Sequence, residues 1–242
     1  MRKKVEVFWV HADEELQSAV LSEHIDILDS EERKTYERYL VDCKKVEFLI
    51  GRLLVKGLVG QKLGLSPKQI RFFANEYGKL FIDYRAMTET IKRPVFFNLS
   101  HSQQMWVCAL SEIEQTGIDV EAAHQDCVLE VMPTVFLEKE IAAVEEQAAP
   151  EGKRKVFYRL WTRKEAVMKA KGMGFSLPPL SFSVPAFGDL VEDTGFSFYT
   201  FSPLKGYLAS VAVAREGSAQ ITYEVSRIEM AELLTGTVSY SG

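Results

Sequence analysis

The chain has 242 residues, and 29 basic against 34 acidic side chains leave a formal charge of −5. With 47% hydrophobic and 26% charged residues it has the composition of an ordinary globular protein, which excludes disordered and fibrous classes. The length fits one large domain or two small lobes, the acidic balance argues against nucleic-acid binding, and no window approaches the ~20 apolar residues of a membrane span.

Val5 to Val10 reads as a first strand; the apolar run is short and broken by Glu6, too short for a signal peptide. Asp29 followed three residues later by Glu32 is a capping box, and the helical pattern it opens is expected to run to Leu63, with Gly64 as its C-cap. Ile70–Phe73 and Leu80–Ile82 predict a hairpin joined by Asn75-Glu76-Tyr77-Gly78-Lys79. Three further strands are expected at Val95–Leu99, Met105–Leu110 and Gly117–Glu121. Helices over Leu137–Gln147 and Lys153–Lys171 follow, with Ala148–Gly152 as a surface connection. A β-rich tail is expected from Phe175 to about Ser226. Cys43, Cys108 and Cys127 lie far apart with no CxxC pair, so a reducing, cytoplasmic setting without a disulfide framework is expected.

A weak internal repeat accompanies this order. Gly64-Leu65-Ser66-Pro67 leads to Ile70 and Phe72 as Gly174-Phe175-Ser176-Leu177 leads to Leu180 and Phe182, and Ser100–Leu110 loosely echoes Ser202–Val213. The expected fold is α+β, with two similar α/β lobes, residues 1–115 and 116–242, in a pseudo-twofold arrangement. Each lobe would bury one sheet face under a long helix and leave a cleft between them.

Three clusters carry potential chemistry. Asn98-Leu99-Ser100-His101-Ser102 runs from a strand into a polar loop and offers an imidazole and two hydroxyls, although, taken alone, a strand-end turn with a solvated histidine is the better account of it. In Gly117-Ile118-Asp119-Val120-Glu121, an extended backbone sends Asp119 and Glu121 to one face and Ile118 and Val120 to the core. Two carboxylates about 7 Å apart on one strand face suit a hard cation, Mg²⁺ or Mn²⁺; as a polar outer face they would simply be solvent-facing. On a helix, Trp161, Glu165 and Lys169 recur every four residues and share a stripe with Met168 and Gly172. A surface ion pair accounts for Glu165 and Lys169 but leaves the tryptophan unexplained.

Taken in order, Asn75–Lys79, Asn98–Ser102, Gly117–Glu121 and the W-x-x-K-E-A-x-x-K run Trp161–Lys169 resemble the 4′-phosphopantetheinyl transferase superfamily, over roughly residues 28 to 215. Length, the two-lobed reading and Phe175-Ser176-Leu177-Pro178 ahead of Phe182-Ser183-Val184 resemble its larger, surfactin-synthetase-activating type. The resemblance implies transfer of the phosphopantetheine arm of coenzyme A to a serine of an apo acyl or peptidyl carrier protein, with release of adenosine 3′,5′-bisphosphate. It further implies Mg²⁺, with Mn²⁺ as alternative, at Asp119, Glu121 and Glu165. Glu165 or Glu121 would be the base, and Lys169 would neutralise the leaving group. Lys79, Ser100 and His101 would hold phosphates, and Tyr77 and Gly78 would let the backbone approach the adenine. Where many relatives carry an arginine that contacts the 3′-phosphate, this chain has Glu47, so Lys44, Lys45, Arg33 or Lys34 would substitute; the usual proline after Gly-Lys is Leu80. An internal duplication would let one chain form its own cleft, as a monomer. Two rivals are a Mg²⁺-dependent phosphodiesterase or nucleotide hydrolase, and a catalytically silent module that binds carrier proteins.

Overall fold

The computed structural model describes residues 2–12, 23–87, 93–123, 129–193, 195–215, 217 and 219–236. Cys127 lies outside them; Cys43 is exposed, Cys108 is buried, and both are free thiols.

The strands are β1 (Arg2–His11), β2 (Phe72–Ala74), β3 (Leu80–Ile82), β4 (Phe96–Ser102), β5 (Met105–Ser111), β6 (Thr116–Ala122), β7 (Leu190–Glu192), β8 (Phe196–Phe201), β9 (Tyr207–Ala214) and β10 (Gln220–Arg227). The helices are α1 (Ser30–Arg38), α2 (Asp42–Leu63), α3 (Met132–Val135), α4 (Glu138–Glu145), α5 (Pro150–Lys171) and α6 (Met230–Thr235). Sheet one has the order β10-β1-β5-β4, sheet two the order β6-β9-β8-β7, and β2 and β3 form a separate hairpin. The mixed α+β class is as expected.

Period-two alternation builds the layers. Phe8, Val10, Trp106, Cys108 and Leu110 point from sheet one onto Leu49, Ile50, Leu54 and Leu58 of α2. Val5, Val7, Val107 and Ala109 point the other way, onto Ile118, Val120, Ala209 and Val211 of sheet two. The far face of sheet two carries Phe198 and Ala212, which pack beneath Phe157, Leu160 and Val167 of α5. The result is helix, sheet, sheet, helix. Each fully buried leucine or phenylalanine in these layers contributes roughly 1.5–3 kcal/mol. The ladders repeat: β1 pairs antiparallel with β5, and β5 with β4; β6 pairs antiparallel with β9, and β9 with β8.

The local expectations hold at several points. Asp29 accepts from the amides of Glu31 and Glu32 while Glu32 Oε2 accepts from Asp29 N, completing the capping box. Gly64 closes α2 at φ 71°, and the Asn75–Lys79 turn joins β2 to β3. Other boundaries differ. The single helix expected from Ser30 to Leu63 is broken at Tyr39–Val41, where Leu40 stands 96% exposed. The break folds α1 back onto α2. There the buried Glu32 pairs with Arg52 (2.8 Å) and with the fully buried Lys56 (2.5 Å), whose ammonium also donates to Ile27 O. The connection at Ala148–Gly152 is in part helix, since α5 starts at Pro150, a residue suited to a first turn because it has no amide hydrogen to leave unpaired. Within the β-rich tail, Gly174–Ser176 and Pro179–Ser181 are 3₁₀ turns, and β10 returns to pair in parallel with β1.

Candidate active site

The side chains of alternate β4 residues reach across to β6. Asn98 Oδ1 accepts from Ile118 N at 2.8 Å, Ser100 Oγ donates to Asp119 Oδ1 at 2.9 Å, and Ser102 Oγ donates to Glu121 Oε2 at 3.2 Å. Ala122 N donates in turn to Ser102 Oγ. The strand alternation that sends Ile118 and Val120 into the core therefore places Gly117, Asp119 and Glu121 on the α5 side, as the sequence pattern predicts.

Helix α5 approaches this face very closely. A Cβ on Gly117 would lie 2.0 Å from Ala166 O and 2.4 Å from Ala170 N. With that space left open, Lys169 Nζ reaches Asp119 Oδ1 at 2.7 Å and Ser100 Oγ at 2.8 Å, while Trp161 Nε1 donates to Glu121 Oε1 at 3.1 Å. The stripe of Trp161, Glu165 and Lys169 thus faces β6 rather than bulk water, which accounts for the tryptophan. Asp119 is only 4% exposed, correcting the expectation of a solvent-facing carboxylate. Its burial follows from Ser100 and Lys169, which replace the water it gives up.

Burial above all, then the charge of Asp119 and more weakly that of Glu121, against the opposing charge of Lys169, push the Glu165 carboxyl up to about 7. Glu121 is also raised, first by burial and then by Asp119, against the hydrogen bonds from Trp161 and Ser102 and the charge of Lys169. Glu121 and Glu165, close to each other and to Asp119, resist ionising together. Among the described residues, no three His, Cys, Asp or Glu side chains already stand in a metal-binding group. The donor chemistry nevertheless fits a hard dication: all the donors are carboxylate oxygens, Asp119 Oδ2 is buried with no hydrogen-bond partner, and a positive charge would relieve the repulsion.

A second group lies at the end of β4. His101 stacks on Trp106 (17° between ring planes) and approaches Glu47 Oε2 at 3.2 Å. Lys44 donates to the same oxygen at 2.6 Å, and Trp106 Nε1 donates to Glu47 O. Glu47 is therefore the hub that ties two of the expected nucleotide-binding residues together, a role that sequence reasoning missed. It also missed Ser102 and Trp161 as the holders of Glu121, and Gly117 as the opening for α5; the only sequence signal for the last was the glycine leading G-I-D-V-E.

The remaining expected residues sit elsewhere. Tyr77, Gly78 and Lys79 share a cavity of about 290 Å³ with Phe97, Lys169 and Gly172. Lys79 Nζ donates to Ala170 O at 2.9 Å, and burial lowers its pKa to about 8. Arg33 pairs with Glu37 and Lys34 with Glu31 along α1, neither touching the carboxylates. Lys34 lines a groove of about 470 Å³ together with Arg38, Arg52 and Arg71, and Lys45 stands over the Tyr36 ring. A larger apolar cavity of about 560 Å³ lies beyond the β2–β3 hairpin, around Phe73, Phe81 and Tyr84, and reaches none of the carboxylates.

Comparison with known proteins covers both halves. Residues 115–212 match the 4′-phosphopantetheinyl transferase superfamily, and residues 12–113 match the 4′-phosphopantetheinyl transferase N-terminal family. Among relatives, the 4′-phosphopantetheinyl transferase HetI of a Nostoc species is 32% identical over 62% of this chain and 61% of its own length. The 4′-phosphopantetheinyl transferase gsp of Aneurinibacillus migulanus is 29% identical over 74% of this chain and 70% of its own. The 4′-phosphopantetheinyl transferase ffp of Bacillus subtilis is 27% identical over 91% of this chain and 99% of its own. Together the two matches take in most of the described structure, including every residue of the carboxylate cluster. The chain belongs to the 4′-phosphopantetheinyl transferase superfamily.

Proposed function

We infer that this chain transfers the 4′-phosphopantetheine group of coenzyme A to a serine hydroxyl of an apo acyl or peptidyl carrier protein. The observation that carries the reading is the gathering of Asp119, Glu121, Glu165 and Lys169 between β6 and α5 in a chain of this superfamily. The serine oxygen forms a new bond to the phosphorus that bears the pantetheine arm. The bond from that phosphorus to the bridging oxygen breaks, and adenosine 3′,5′-bisphosphate leaves.

Each side chain has a task in that displacement. Glu165, with a carboxyl that titrates near neutrality, receives the serine proton; Glu121, also raised, is the alternative base. Lys169 places positive charge where the leaving phosphate develops negative charge. Ser100 holds Asp119 in place, and Ser102 with Trp161 holds Glu121. Asp119, Glu121 and Glu165 would hold Mg²⁺, or Mn²⁺, which when bound neutralises the pyrophosphate. Tyr77, Gly78, Ser100 and His101 flank the coenzyme, with Lys44, Arg33 and Lys34 as the outlying cations for its 3′-phosphate.

The wider reading is a monomer of two related lobes, 1–115 and 116–242, in pseudo-twofold arrangement, working in the cytoplasm. The repeated β1-β5-β4 and β6-β9-β8 ladders support the duplication. No described helix is long and apolar enough to cross a membrane. Intact mass spectrometry of an apo carrier protein incubated with the chain, coenzyme A and Mg²⁺ tests the function. A gain of one phosphopantetheine supports it. Release of phosphopantetheine without a carrier would support the hydrolase instead, and binding of carrier without any mass gain would support a silent module.

A further inference from the structure

The turn between β2 and β3 is wired into the end of α5. Asn75 Oδ1 accepts from the amides of Tyr77 and Lys79, fixing the turn, while its Nδ2 donates to Gly172 O at 2.8 Å. Lys79 Nζ donates to Ala170 O at 2.9 Å and approaches Thr116 O at 3.5 Å. Three segments distant in sequence therefore meet at one ammonium: the hairpin turn, the start of β6 and the last turn of α5.

The last turn of a helix leaves carbonyls without intrahelical partners. Here Gly172 N bonds back to Lys169 O and Met173 N to Met168 O, and the hairpin supplies donors for Ala170 O and Gly172 O. A cation is also favoured at this end by the helix dipole. The fit is tight: Gly172 has φ +70°, and a Cβ there would lie 3.0 Å from Lys79 Cδ and 3.2 Å from Asn75 Nδ2. Lys169, whose ammonium holds Asp119, is the residue immediately before Ala170.

We propose that Asn75 and Lys79 are positioning residues that latch the C-terminal turn of α5 and thereby set Lys169 against Asp119. The proposal rests on the transfer reading for its kinetic consequence but not for its structural one. The latch also adjoins the cavity of about 290 Å³, because Tyr77 and Gly78 of the same turn line it beside Lys169.

Two measurements test this on the full chain. The first is hydrogen–deuterium exchange without substrate: Lys79→Met and Asn75→Ala should each speed exchange at residues 170–173 at least ~10-fold, while the amides of β9 remain protected. Unchanged exchange at residues 170–173 in both variants overturns the latch, whatever the enzyme does. The second is steady-state transfer. Lys79→Met should lower kcat ~10–100-fold and leave the KM for coenzyme A within about threefold, and Lys79→Arg, which can still donate to Ala170 O, should recover most of kcat. A KM raised tenfold or more at unchanged kcat would make Lys79 a ligand of the coenzyme and overturn its positioning role. Should the wild type transfer nothing, the exchange result still decides the latch.

Discussion

Replacing Gly117 by alanine adds one methyl group at the closest approach of sheet two and α5. In place, the new Cβ would stand 2.0 Å from Ala166 O and 2.4 Å from Ala170 N, both backbone atoms that no rotamer change can move. Relief requires β6 and α5 to part by about 1.4 Å, the difference between the 2.0 Å contact and the 3.4 Å at which ordinary van der Waals contact begins. Such a shift stretches the 2.7 Å Lys169–Asp119 bond to about 4 Å, past hydrogen-bonding range. Overpacking costs ~1–3 kcal/mol, and the weakened charge-assisted bond adds ~1.5–3 kcal/mol. The smaller backbone entropy of alanine in the unfolded chain returns ~0.4–1 kcal/mol. The net loss should be about 1.5–5.6 kcal/mol, or roughly 3–22 °C in Tm for a chain of this size. Urea and thermal denaturation followed by circular dichroism measure it, with Gly195→Ala as the control, because nothing lies within 4 Å of a Cβ there. Transfer activity should fall with stability, since Asp119 rides on the displaced strand. A Gly117→Ala protein within 0.5 kcal/mol of the Gly195→Ala control would refute the close-approach account of the site.

Glu165→Gln should fold and bind coenzyme A but lose ~10²–10⁴-fold in transfer by the carrier mass assay; retention of more than a tenth of wild-type kcat would shift the base to Glu121. In metal-free buffer, the Glu165 carboxyl of the folded chain is raised from its ordinary 4.5 to about 7, so its protonated form supplies stability that is full below pH 4.5 and is lost as pH rises through about 7. Denaturation midpoints of wild type should therefore fall relative to Glu165→Gln across that window, and parallel curves would contradict the raised carboxyl. Asp119→Ala should abolish transfer and also destabilise by ~1–3 kcal/mol, because Ser100 and Lys169 lose a buried acceptor; a fully stable variant would contradict the burial argument. Glu140→Ala, which strips the buried Lys164 of its 2.9 Å partner and the Val184 and Leu137 amides of their acceptor, should cost ~3–5 kcal/mol in urea titrations. A loss below 1 kcal/mol would show that water replaces the carboxylate.

What could be read from the sequence was local. The capping box at Asp29, the glycine closing α2, the β2–β3 turn and the alternation of β6 depend on neighbours within a few residues, and all appear in the structure. The Trp161–Glu165–Lys169 stripe was equally visible, since helical spacing needs no knowledge of partners. Its environment was not visible. Asp119 is buried because Ser100 and Lys169 arrive from 19 and 50 residues away. The helix breaks at Tyr39–Val41 because Glu32 must meet Arg52 and Lys56, a contact that good helical propensity on both sides conceals. Glu47 looked like a missing cation and is a shared acceptor for Lys44 and His101, which only the approach of β4 to α2 makes apparent.

The parallel pairing of β1 with β10 has a consequence for the making of the protein. Arg2 pairs with Gln220 and Trp9 with Arg227, so the second strand laid down in that ladder follows the first by nearly the whole chain. At roughly 5–20 residues per second, a ribosome delivers β10 some ~10–45 s after β1. Throughout that interval the β1 edge has amides and carbonyls without their ladder partner, while β5 and β4 can already be in place on its other side. An unpaired edge is a template for pairing with another chain. Polysomes carrying this message would hold several nascent copies in that state at once. Slower translation lengthens the exposure, so yield of the soluble chain should depend on elongation rate and on chaperones that shield open edges. A library of C-terminal truncations ending before Gln220 should aggregate rather than accumulate as stable fragments.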